Sequence, residues 1–162
     1  MTIVFAGPAA FAAAGGTDLG SGPWLTITQE RIDAFADVTE DWQWIHTDPE
    51  RAADSDLGST IAHGYLTLSL VPRLSSGIFD FTDIGRAVNY GIERVRFPAP
   101  VRPGDRIRAR AALVETSAAG PDGAGVLGRV RYTIDIEDAE RPACVLDALM
   151  LVLPAETTRA ED

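Results

Sequence analysis

The sequence contains no lysine; all 14 of its basic residues are arginine. Set against 24 acids, they leave a net charge of −10. So acidic a chain argues against nucleic acid or an anionic membrane surface as the main partner. A single cysteine, Cys144, excludes an internal disulfide. It sits in the apolar run Ala143-Cys144-Val145-Leu146 and reads as a small buried side chain rather than a nucleophile. No apolar stretch reaches the roughly 18–20 residues that a membrane span needs. The greasy start, Ile3-Val4-Phe5 and then residues 8–14, resembles a signal peptide only superficially, because no Lys or Arg precedes Arg31. A reducing cytoplasm is the expected compartment. Glycine-rich phosphate loops, internal repeats and long linkers are absent as well.

What is present suits one folded domain. The 162 residues are 46% apolar, enough to bury a sizeable core. Residues 1–20 read as an N-terminal extension and 154–162 as a loose polar tail. Residues 8–14 suggest a short helix with Pro8 near its start and Gly15-Gly16 at its end. Trp24 to Ile27 reads as a strand. Thr28 then offers a cap, and Ile32, Phe35 and Ala36 form a helical stripe over 29–38. Asp48-Pro49 starts a further helix. From His63 to Ser75 the apolar residues point almost all round a helix, which predicts burial on most sides, with Pro72 ending or kinking it near Val71. After about residue 86 the period becomes two. Strands are expected around Val88 to Phe97, with a disturbance near Gly91, then at 106–113, 130–136 and 143–153. Helices first and antiparallel strands after predict an α+β domain whose sheet wraps one buried helix.

Chemistry concentrates in Asp41-Trp42-Gln43-Trp44-Ile45-His46. Five positions are too many for one helical face, so a bent loop is expected to aim the acid and the histidine at one small molecule. A histidine titrates near neutrality, and a carboxylate beside it can accept a proton or orient a water. The competing reading is a capping aspartate and a half-exposed histidine. Gln43 is placed to hold the water or a substrate carbonyl, since an amide both donates and accepts; it also reads as a solvent-facing loop amide. Trp42 and Trp44 read as packing. A metal would draw on Asp41, His46 and Asp48, with no second histidine at ligand spacing, and none is expected.

His63-Gly64 opens the apolar helix. First-turn amides there have no internal partner and sit at the positive end of the helix dipole. Glycine would let a substrate carbonyl approach, forming an oxyanion hole for a thioester enolate. The plainer reading is a glycine required for close packing, with His63 itself packing or capping. Arg106, Arg108 and Arg110 share one strand face and read either as a solvated face or as a basic rim for a phosphorylated carrier.

With these motifs the chain resembles the MaoC-like dehydratases, the (R)-specific enoyl-CoA hydratases of the hot-dog fold, and in particular their nodulation-protein-N-like branch. The family pattern is aspartate, any residue, Asn, Pro, an aliphatic and histidine, followed by His-Gly at the start of the central helix. Asp41, Ile45, His46 and His63-Gly64 match. Gln43 and Trp44 stand where most members have Asn and Pro. Asn89-Tyr90-Gly91 and the stretch Val95 to Val101 are also similar, and the resemblance covers residues 20–153. It implies a long central helix wrapped by an antiparallel sheet and a homodimer joined edge to edge. It implies Asp41 and His46 as the catalytic pair, Gly64 and Gln43 as substrate-binding residues, and an acyl tunnel beside the helix. The substrate implied is a trans-2-enoyl thioester of coenzyme A, with no cofactor beyond that coenzyme A. An acyl-CoA thioesterase and a non-catalytic acyl-thioester binder are the alternatives on the same fold.

Overall fold

A computed structural model describes residues 2–155 of the chain. The element order is β1 (Ile3–Ala6), α1 (Gly7–Ala13), β2 (Thr17–Ser21), β3 (Leu25–Thr26), α2 (Gln29–Thr39), α3 (Trp44–Thr47), α4 (Pro49–Ala53), α5 (Gly64–Ser69), α6 (Val71–Leu74), β4 (Phe79–Thr82), β5 (Arg86–Arg96), β6 (Arg106–Ala119), β7 (Gly125–Ile136) and β8 (Cys144–Leu153). Six strands make one antiparallel sheet in the order β2-β6-β7-β8-β5, with β3 also on β6. The central helix lies on its inner face. The expected tail from 154 lies almost wholly outside the described residues. No helix among those described is long and apolar enough to cross a membrane.

Local chemistry accounts for the elements. Thr28 caps α2 by accepting the Arg31 amide, and Glu40 ends the helix in the left-handed region at φ 58°. Asp48 caps α4 in the same way, with Pro49 in the first position. On β6, Ile107, Ala109, Ala111 and Leu113 are buried, and the arginines between them face outward. On β7 the buried set is Val130, Tyr132, Ile134 and Ile136. A register shift between Leu113 and Glu115 reverses the alternation, and β6 runs on to Ala119.

The central helix is shorter and less enclosed than its sequence suggests. It runs from Gly64 to Leu74 in two pieces joined at Leu70, with Pro72 in the second. Leu66, Thr67, Leu70 and Leu74 are buried, but Tyr65 is 70% exposed. One face is therefore left open.

The N-terminal residues are part of the core. Ile3-Val4-Phe5 is a strand paired in parallel with β4, Ile3 opposite Phe79. Behind it α1 drives Phe11 into the sheet, where the ring is fully buried against Gly128; a Cβ there would come within 2.4 Å of it. Phe5, Phe11, Phe79 and Phe81 form one aromatic cluster with centroids 5.2–6.0 Å apart.

Candidate active site

The loop after α2 brings the expected acid and histidine together. α3 is a single turn started by Gln43, whose main-chain carbonyl accepts the His46 amide at 2.9 Å. This turn swings His46 inward to 7% exposure and leaves Asp41 at the surface. The segment before the central helix is laid along it: Ile61 donates its amide to the Ile45 carbonyl at 2.9 Å. In return the Ile61 carbonyl sits 2.6 Å from His46 Nδ1. A carbonyl only accepts, so Nδ1 carries the proton and Nε2 of the neutral ring keeps its lone pair.

His63 is the second half of the arrangement. Its ring stacks on that of His46, with centroids 3.7 Å apart and planes at 26°. Its Nε2 lies 3.0 Å from the Asp41 main-chain carbonyl and therefore donates to it, fixing the loop that carries the acid. Its Nδ1 is buried without a hydrogen-bond partner. The ring is 2% exposed and also contacts Phe35. The sequence places His63 only as a packing or capping residue. The fold carries it across 17 positions into van der Waals contact with His46, a proximity that spacing does not encode.

One nitrogen from each histidine and one carboxylate oxygen of Asp41 lie within 4.8 Å of one another. The fold thus does supply a second histidine near the pair. The set nevertheless fits a metal poorly. Stacked rings direct their in-plane lone pairs side by side rather than to one point, and His63 Nε2 presents a proton on the Asp41 side. A water suits the gap between Asp41 and His46: two hydrogen bonds of about 2.8 Å bridge such a distance at an open angle.

Burial sets the protonation of His46. Desolvation, the largest effect, lowers its pKa from the ordinary 6.5, and the neighbouring His63 lowers it further. The Ile61 hydrogen bond and the Asp41 charge oppose this without reversing it. His46 is held as a neutral base.

Gly64 shares with His46 a cavity of about 300 Å³ that Ala62, Thr67, Phe97, Val101 and Ala143 also line. A Cβ on Gly64 would meet the Phe97 ring at 3.1–3.2 Å. Close packing by Phe97 therefore accounts for the missing side chain, while the first-turn amide of α5 remains at the cavity wall. Gln43 is exposed and does not line this cavity. The amide the sequence does not point to is Gln29. It donates to the His46 carbonyl at 2.8 Å and to Asp33 at 2.7 Å, and accepts from the buried Thr60 hydroxyl. It braces the histidine turn from α2. Trp44 lies under Arg51, whereas Trp42, expected to pack, is 57% exposed and donates to Asp37 at 3.0 Å.

The arginine face is partly neutralised, with two acids set against three arginines. Arg106 pairs with Glu137, and Arg108 and Arg110 with Asp135, with Trp24 beneath Arg106 and Arg108. Glu137 and Asp135 thus hold by hydrogen bonds the Arg106 and Arg110 guanidiniums that a carrier phosphate would need, while Arg108 Nε is buried without a hydrogen-bond partner. Cys144 is buried, and desolvation pushes its thiol up to about 11, which removes it as a nucleophile.

The MaoC-like domain family matches residues 10–131, which include Asp41, His46, His63 and Gly64. The chain belongs to this family. Among its relatives, 3-hydroxyacyl-thioester dehydratase Z of Mycobacterium tuberculosis is 45% identical over 146 residues, covering 90% of this chain and 95% of the relative. Nodulation protein N of Rhizobium leguminosarum bv. viciae is 41% identical over 139 residues, 85% of each chain. The solved MaoC-like dehydratase from Rhodospirillum rubrum has a TM-score of 0.72 at 21% identity, covering 89% of this chain and 95% of that one. The MaoC-like chain thus has the hot-dog fold: an antiparallel sheet around a central helix, here α5–α6.

Proposed function

We propose that this MaoC-like protein is a hydro-lyase that reversibly adds water to a trans-2-enoyl-CoA, giving a (3R)-3-hydroxyacyl-CoA. Dehydratase chemistry on 3-hydroxyacyl thioesters follows from its family and from the 45% identical dehydratase. The enoyl-CoA substrate and the 3R product are our own reading, taken from the likeness of the Asp41-to-His46 motif to that of the (R)-specific hydratases.

One observation carries it. An Asp41 oxygen and a His46 nitrogen lie within 4.8 Å of each other, and His46 borders the cavity that Gly64 also lines. A water between them loses a proton to the pair as its oxygen bonds to the β-carbon. The pair then returns a proton to the α-carbon on the same face, so the elements of one water are added. Both catalytic groups act from one side, which makes the addition syn. Each such positioned group contributes about 10²–10⁴ in rate. The Gly64 amide would polarise the thioester carbonyl and stabilise the enolate-like transition state, worth about 10²–10³ by comparison with other oxyanion donors. The thioester itself acidifies the α-carbon, so the reaction calls for no metal or redox group. The acyl chain would run beside the central helix, and the protein would act as a homodimer through the free edge of β5.

The test mixes purified protein with crotonyl-CoA and follows loss of the conjugated enoyl absorbance. Turnover is expected, with Asp41→Ala and His46→Ala each slower by about 10²–10⁴. A thioesterase would release free thiol instead, and a simple binder would be stabilised by ligand without turnover. Unchanged rates in both variants would sink the assignment.

A further inference from the structure

Beyond the cavity at His46 lies a second one of about 480 Å³. The linings of the two follow one another along the helix and the sheet, as successive reaches of one furrow would. On the helix, Gly64 and Thr67 line the first, and Leu68, Val71 and Ser75 line the second. Spaced three or four apart, these residues form a single stripe. On the sheet, Phe97 and Ala143 flank the first reach, at the end of β5 and the start of β8. Ile92 with Ala148, and Asn89 with Met150, flank the second and are partners in the β5–β8 register. Helix and strand walls therefore advance together away from His46. From Gly64 to Ser75 the helix covers roughly 16 Å at about 1.5 Å per residue.

No charged side chain is among the described residues that line the second reach. The buried Tyr132 hydroxyl lies beside Ser75, and burial pushes its pKa up to about 12. Phe79, just beyond the helix in the chain, also lines the second reach. Phe79 opens β4 opposite Ile3 of β1, and the Ile3 amide donates to the Ile78 carbonyl at 3.0 Å. Behind its ring stand Phe5 at 6.0 Å and Phe81 at 5.7 Å between centroids. Phe5 is itself wedged edge-on against the fully buried Phe11. The half-buried Phe79 ring is thus backed on its core side by this aromatic cluster.

We propose that Phe79, braced by the N-terminal strand, is the blind end of the acyl groove and the residue that limits acyl chain length. This rests on the reading of the protein as an enoyl-thioester hydratase. The groove admits medium straight chains and rejects those whose tail would pass Phe79. Until the tail reaches the stop, each further methylene buried tightens binding about four-fold.

Two measurements test it on the full chain. The first is kcat/KM for crotonyl-, octenoyl-, dodecenoyl- and hexadecenoyl-CoA in the wild type, Phe79→Ala, Phe79→Leu and Phe79→Trp. The ratio of long- to short-chain kcat/KM should rise at least ten-fold in Phe79→Ala, rise less in Phe79→Leu, and fall in Phe79→Trp. The second is affinity for saturated acyl-CoAs of increasing length, which needs no turnover. Affinity should climb and then break, with the break moving to longer chains in Phe79→Ala and to shorter ones in Phe79→Trp. If Phe79→Ala does not fold, the Leu and Trp variants carry the comparison. A moving break in a protein that hydrates nothing would uphold the groove and reject the reaction. A break and a chain-length profile unchanged in every folded variant would overturn the role of Phe79.

Discussion

Burial favours the neutral form of His46, and its proposed role as the base gives this a pH signature. Burial, and secondarily His63, lower its pKa below 6.5 in the folded protein. In the unfolded chain the same ring titrates near 6.5. Between the two values the unfolded state binds more protons, so stability falls as pH drops through this window. Above about 6.5 the histidine contribution is fully present; below the folded pKa the loss is complete. The acidic limb of kcat/KM should follow the same folded-state group, with half-maximal activity below pH 6.5. A pH–rate profile on crotonyl-CoA, beside urea midpoints taken from pH 8 to 5, checks both. An acidic limb centred above 6.5 would mean that His46 is not the base. His63 makes this arrangement costly to disturb, because one ring stacks on His46 while its Nε2 holds the Asp41 loop.

At the scale of elements, the N-terminal helix acts as a staple. Phe11 is fully buried over Gly128 in β7, a position with no room for a Cβ. Gly128→Ala forces the ring or the strand to move, and overpacking of this kind costs about 1–3 kcal/mol. The expected outcome is a lower urea midpoint with an unchanged slope; a neutral result would show that α1 yields freely. This contact also marks where the sequence stops being readable. The strands β6 and β7 are legible in Ile107 to Leu113 and Val130 to Ile136, because alternation survives wherever one face is buried. So are α2 and α4, whose caps Thr28 and Asp48 are local signals. β1 and β2 are not, since each is short and its partner lies far along the chain. Nothing within Ile3-Val4-Phe5 names Phe79. The site divides in the same way. Asp41 and His46 are visible as a spaced motif, and Gly64 as a helix start. Gln29, Thr60 and the stacking of His63 come only from tertiary packing, and Gln43 looks more central in sequence than its exposed place allows.

At the scale of the molecule, the 11-residue strand β5 ends the sheet. One of its edges bonds to β8, while Tyr90 and Ile92 stand 65% and 50% exposed. A long edge strand with apolar side chains is a template for further pairing, and soluble proteins cover or blunt such edges. A second copy laid antiparallel on β5 would cover it by a two-fold axis, with the same surface used on both sides. Ile92 and Gly91 also wall the second reach of the furrow, so the partner would brace the groove as well as the edge. Light scattering should therefore report twice the 17.3 kDa chain mass. The double variant Val88→Lys, Tyr90→Glu, at two exposed positions of β5 that do not line the groove, should move the protein toward the monomer. It should also weaken binding of medium-chain acyl-CoA more than that of crotonyl-CoA, because only the longer tail reaches the strand that loses its brace. A wild-type chain that stays monomeric at working enzyme concentration, yet turns over medium-chain substrate at full rate, would show that β5 completes the groove alone.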